Sequence, residues 1–239
     1  METTETIDTQ QEIGIAGRIL RIFYAPGETF AAVARKQSTA DWVVPAVLSA
    51  AVMVICLVLA SPVMTEFRQQ AIEKQMQDMP IEQREVLKSS QGMMETGTLI
   101  ATPIMTFVML FITTGVYLVM GKLLGATLNY GQMLAINAYA MLIAIPQQVV
   151  KTPLMLAKET PMVQMGLGLV MSEEMLQTFS GRLLAAIDPF AIWSVLIIGL
   201  GLSVVGQVDR NKAYIGAALV SLVWLSIAVS IGGFTNPAK

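Results

Sequence analysis

Residues 189–208 form a run of 20 without a charge, and the residues that open it fix where it must lie. Asp188 suits a helix N-cap, its carboxylate accepting from backbone N–H groups that have no partner in the first turn. Pro189 suits the next position, where a missing N–H costs nothing. Phe190 and Trp193 follow within one turn, at the depth where aromatic rings settle between headgroups and acyl chains. At 1.5 Å per residue the run is about 30 Å long, the thickness of a bilayer's hydrocarbon core.

Further apolar stretches of spanning length occur along the chain, two of them uncharged over 42–65 and 96–121. The spacing predicts an all-α, polytopic helical membrane bundle with five transmembrane helices, at about 42–64, 99–121, 133–156, 189–208 and 213–234. Composition agrees: 54% of the 239 residues are hydrophobic and 13% charged, where a soluble domain carries about 25% charged residues.

Histidine is absent, which removes the usual general base, the commonest zinc ligand and the partner of Ser or Cys nucleophiles. No paired-Asp or Ser–His arrangement stands in its place, so the chain reads as non-enzymatic, with no catalytic residue, cofactor or metal expected. A net charge of −2 and the lack of any basic block give no reason to expect nucleic acid. The one cysteine, Cys56, lies inside an apolar run and cannot form an intrachain disulfide.

Taken in order, residues 1–12 are polar and acidic and predict a disordered tail; they do not resemble a signal peptide. Residues 13–36 set Ile15, Ile19, Ile22 and Phe23 at helical spacing among Arg18 and Arg21, pause at Pro26 and Gly27, and resume with Phe30 and Val33. This is an amphipathic lead-in expected to lie in the membrane interface or dock on the bundle. The remaining chain, 37–239, makes the five-helix domain.

Asp41 precedes the first span, with Trp42 at its interface and Pro45 tolerated in its first turn. Residues 66–95 hold ten charges and predict an extramembrane loop with two short amphipathic helices, the second restarting near Asp78 and Pro80. In the third span Pro146 should kink the helix, its freed carbonyl taken up by a Gln side chain or a neighbour. Residues 158–187 make a second long loop. There Ser172 starts a helix that presents Leu176, Phe179, Leu183 and Ile187 on one face. Gly199, Gly201 and Gly206 in the fourth span are packing glycines.

Five spans put the termini on opposite sides. Basic residues are nearly balanced, seven against eight, but those near the short turns and the first span sit close to helix ends. This favours a cytoplasmic N-terminus and an outside C-terminus.

One set of residues stands out as a candidate site. Asn137, Gln147, Gln148 and Lys151 could form a polar stripe on the third span, and intramembrane polar groups often line a pathway. The plainer reading puts Gln147, Gln148 and Lys151 at the outer interface, with Lys151 snorkelling. Methionine pairs in the loops, such as Met162 with Met165 and Met171 with Met175, have the softness Cu(I) prefers, but packing is the commoner use of such residues.

Several of these residues, in their order, resemble the Yip-type membrane protein family, first known as Rab-interacting factors of the secretory pathway. They are Arg21, Phe23, Pro26 and Phe30 in the lead-in, and Trp42 and Pro45 at the first span. Asn137, Tyr139, Ala140 and Pro146 follow in the third, and Asp188, Pro189, Phe190, Trp193, Gly199 and Leu200 in the fourth. The resemblance implies five transmembrane helices, a cytosolic N-terminus and no enzymatic activity. The acidic-aromatic Asp-Leu-Tyr-Gly-Pro signature of eukaryotic members is missing, which points to a bacterial-type member. The expected role is a scaffold or accessory subunit of a trafficking or export system in the inner (plasma) membrane. Its partners would be membrane lipids, other membrane proteins or a second copy of the chain. The alternative is a small channel or transporter built on the polar stripe.

Overall fold

The structure, a computed structural model, describes residues 13–76 and 81–235; the acidic tail at 1–12 and the expected helix restart near Asp78 and Pro80 lie outside the described residues. Every regular element described is helical. Five helical segments are long and apolar enough to cross a membrane: Ala40–Gln70, Thr96–Leu123, Tyr130–Lys158, Pro189–Gly206 and Arg210–Ser230. The chain is a multi-pass membrane protein.

Two short helices lead in. In the first, α1 (Ile15–Arg21), Arg18 and Arg21 stand in the last turn, where cations complement the helix dipole. In α2 (Pro26–Arg35) Pro26 opens the helix, Glu28 sits in its first turn and Arg35 in its last. These helices dock on the bundle: Ile22, Phe30 and Val33 are fully buried, and α2 packs on the fourth span and on the third.

The first span belongs to α3 (Ala40–Met76) and the second to α4 (Ile81–Leu123). The loop expected at 66–95 is therefore mostly an extension of these two helices. Residues 66–76 are rich in Glu, Gln, Arg, Lys and Ala and contain neither Gly nor Pro, so nothing stops the helix at the membrane surface.

The third span is two helices, α5 (Tyr130–Met141) and α6 (Ala144–Lys158), broken at Leu142 and Ile143. Pro146 is the cause, yet the break falls one turn before it. Without an N–H on Pro146 the Leu142 carbonyl loses its usual partner and instead accepts from the Ile145 N–H at 3.0 Å, a tighter 3₁₀-type bond. Neither Gln side chain fills that role: Gln147 bonds Asp188 instead, and Gln148 bonds no described residue. At the other end of α5, Asn129 and Gln132 form a reciprocal capping box, each side chain accepting from the other's backbone N–H at 2.9 Å.

Buried around most of its circumference, α5 is the central helix: Met133, Ala135, Ile136, Ala138 and Tyr139 are fully buried among α3, α4 and α9 (Pro189–Gly206). Beyond α6 a 3₁₀ turn, Gly166–Val170, leads to α7 (Glu173–Gln177) and α8 (Phe179–Ala185). The single helix expected from Ser172 onward is divided at Thr178, whose hydroxyl accepts from the Gly181 N–H and so starts a new helix. Ser172 does cap α7.

In α9 Asp188 and Pro189 hold the N-cap and first positions, Asp188 Oδ1 accepting from the Ala191 N–H at 2.7 Å. The helix ends at Gly206, two residues short of the expected Val208, because Gln207 turns into the left-handed conformation. The last helix, α10 (Arg210–Thr235), packs closely on α9 at Gly199, where a Cβ would strike the Tyr214 ring. Gly201 does the same for α5: a Cβ there would stand 2.5 Å from Ile136 Cγ2. Outward faces of α3, α4 and α10 expose Val58, Leu59, Ile100, Ile104, Leu219 and Val223, the surface a lipid-facing helix requires.

Candidate functional site

Buried polar groups in an apolar bundle are costly unless paired, so their pairing shows what each is for. The largest group ties the lead-in to the bundle. Asp41, wholly buried in the first turn of α3, accepts four hydrogen bonds. Arg18 Nη1 at 2.7 Å and Tyr139 Oη at 2.9 Å donate to one oxygen, and Ser38 N at 2.7 Å and Ser38 Oγ at 3.0 Å to the other. Arg18 also donates from Nε to the Ile13 carbonyl at 2.9 Å, while the Thr29 hydroxyl bonds the Arg18 carbonyl at 3.0 Å. Phe30 meets the Tyr139 ring edge-on, centroids 6.3 Å apart, and Phe23 meets Trp193 likewise at 6.1 Å. Arg18 therefore turns into the bundle. With four donors on its carboxylate, Asp41 is the node that fastens the lead-in to α3 and α5.

A second node joins the broken third span to α9. Gln147 Nε2 donates to Asp188 Oδ2 at 2.8 Å, while the other Asp188 oxygen caps α9. The cap foreseen at Asp188 is thus one half of its role. A third contact links α4 to α10 through Tyr117 Oη and Ser221 Oγ, 2.7 Å apart. An almost wholly apolar cleft of about 870 Å³ surrounds it, between α4, α9 and α10.

The remaining stripe residues divide. Asn137, 6% exposed, donates from Nδ2 to the hydroxyls of Thr113 and Thr114, both at 3.1 Å. Those hydroxyls already donate to the Met109 and Leu110 carbonyls, at 2.7 and 2.6 Å. They can only accept from Asn137, which fixes the amide's orientation and turns Oδ1 away from them. Asn137 and Gln148 share a cleft of about 500 Å³ between α3, α4, α5 and α6, with Ser49, Thr102, Thr106 and Thr113. Gln147 faces Asp188 instead, and Lys151 is not among the residues lining the cleft.

Of the family-motif positions, Tyr139, Phe30, Trp193 and Asp188 enter the contacts above. Trp42 packs edge-on against Phe111, centroids 5.7 Å apart. Pro26 opens α2, Pro45 lies inside α3, and Phe190 packs against the main core. Met165 packs against Ala60, Met155 and Val163, and Met53, Met105, Met109 and Met141 line the 500 Å³ cleft. Sequence reasoning did not find Arg18 or Ser38 as partners of Asp41, nor Ser49 and the α4 threonines. The one available signal was the recurrence of Thr at 102, 106 and 113, one face of α4.

Among known proteins, a family model described as the Yip1 domain matches residues 20–231. No curated protein and no solved structure matches the chain.

Proposed function

Because the chain belongs to the Yip1 domain family, we propose that it is a non-enzymatic scaffold or accessory subunit of a membrane trafficking or export system, acting by association with other membrane components. One observation carries this reading. The buried polar side chains that tie the lead-in and α9 to the bundle are spent on one another, Arg18 and Tyr139 on Asp41 and Gln147 on Asp188, and the hydrogen bonds among the described residues hold no nucleophile against a base. Such bonds hold helices in register and leave no group to react. The apolar outer faces of α3, α4 and α10 then offer surface to lipids, a second copy or another membrane protein.

Its place would be the inner (plasma) membrane of a bacterial-type cell, N-terminus inside and C-terminus outside, without nucleic acid as a partner. Crosslinking in native membranes followed by detergent purification tests this. A stoichiometric membrane partner or a homo-oligomer is the expected product, and recovery of monomer alone would count against the scaffold role. Reporter fusions at residues 1 and 239 should report opposite sides.

A second reading, a small channel or transporter, draws on the cleft that Asn137 and Gln148 share. Solute flux into proteoliposomes that is unchanged by Gln148→Leu and Lys151→Met would dispose of it.

A further inference from the structure

We propose that the cleft between α3, α4, α5 and α6 is a binding site for one neutral lipid bearing a free hydroxyl, a molecule of the diacylglycerol class. Its position comes first. Thr102 and Thr113 bound the cleft on α4, so it lies about 9 to 26 Å along a span of about 40 Å, inside the hydrocarbon layer. Met53 and Met105 on its wall are exposed, which opens it sideways to lipid and not to water. At about 500 Å³ it is of the size that holds a small ligand or part of a larger one.

The hydrogen-bonding groups on its walls select the ligand. Ser49 is 7% exposed, lines the cleft, and its hydroxyl has no partner. Asn137 spends both amide hydrogens on Thr113 and Thr114, leaving its carbonyl oxygen as a free acceptor. Thr102 and Thr106 donate to the carbonyls one turn before them, Thr98 and Thr102, so they too can only accept. Gln148 reaches the cleft with no hydrogen bond to a described residue.

A ligand that satisfies this wall must both donate and accept. Ester carbonyls alone would leave Asn137 Oδ1 unpaired. Among the described residues no Asp, Glu, Lys or Arg lines the cleft, so a phosphate has no counter-charge from them and would be left uncompensated in a medium of low dielectric. A hydroxyl on an uncharged head meets both conditions, and the methionine side chains, unbranched and adaptable, suit acyl chains of varied shape.

The test uses the full chain in phosphatidylcholine vesicles containing a trace of diacylglycerol with a diazirine in one acyl chain. Two control probes accompany it: the same molecule with its hydroxyl acetylated, and the matching phosphatidic acid. On irradiation the free-hydroxyl probe should mark peptides carrying Met53, Met105 or Met141 at least about fivefold more than either control. Ser49→Ala and Gln148→Leu leave the Asn137 bonds to Thr113 and Thr114 intact, and each should lower that labelling by about three- to tenfold, the worth of one intramembrane hydrogen bond. Labelling of the exposed face of α10 should not change, which shows that the variants still fold. Equal labelling by all three probes would identify only lipid passing along the surface and would overturn the proposal. So would cleft labelling that neither substitution alters.

Discussion

Replacing Asp41 by Asn should release the lead-in from the bundle. In the native node one carboxylate, fully buried, accepts from Arg18 and Tyr139 on one oxygen and twice from Ser38 on the other. An Asn amide has one accepting end. Whichever way it turns, its NH₂ faces either the Ser38 N–H or the pair of Arg18 and Tyr139, donor against donor, and the 12%-exposed Arg18 loses its counter-charge. Removing one partner of a buried ion pair costs about 3–5 kcal/mol.

A thiol assay reads this directly. In a Cys56→Ser background, Ala32→Cys places the only thiol on the buried face of α2, where maleimide reaches it only when the lead-in opens. At about 1.4 kcal/mol per tenfold, Asp41→Asn should speed labelling by about 10² or more. Arg18→Met should also speed it, and combining Arg18→Met with Asp41→Leu should cost clearly less than the two single changes together, since they remove the same pair. A rate change under about threefold for Asp41→Asn would refute the reasoning. The apolar contacts of Phe30 and Val33 would then suffice to hold the lead-in.

Three further outcomes follow from the packing. Gly201→Ala should lower thermal stability in detergent by about 1–3 kcal/mol through its clash with Ile136, and Ile136→Ala in the same chain should recover part of the loss. Asp188→Ala removes a cap and an interhelical bond together, so it should destabilise by about 1 kcal/mol more than Gln147→Leu, which leaves the cap in place; chemical unfolding in mixed micelles measures both. Tyr117→Phe should cost about 0.6–1.7 kcal/mol in the same measurement, and Ser221→Ala added to it should cost little more.

The spans were legible because hydrocarbon thickness sets a length that uncharged runs either meet or miss. The start of α9 was legible because capping is settled within four residues, Asp188 to Ala191. What escaped depends on partners far apart in the chain. Nothing local links Asp41 to Tyr139, 98 residues on, or Gln147 to Asp188, 41 residues on. The stripe on the third span assumed one helix; the break at Leu142 and Ile143 puts Asn137 on α5 and the other three residues on α6. Asn137 and Gln148 still meet in one cleft, while Gln147, about 100° round α6 from Gln148, turns to Asp188. Continuation of α3 beyond the membrane surface was missed because charge was taken as the end of the helix, when charge ends only the lipid contact.

The lead-in is made first and seated last. Arg18 can meet Asp41 as soon as some forty residues have emerged, but the walls that receive Phe30 come from α5 and α9, more than a hundred residues downstream. During synthesis the two short helices must wait at the bilayer surface with Phe30 and Val33 uncovered. Closure of this flap therefore reports that the fourth span has been inserted, and a chain arrested before that point displays its apolar underside to whatever surveys nascent membrane proteins.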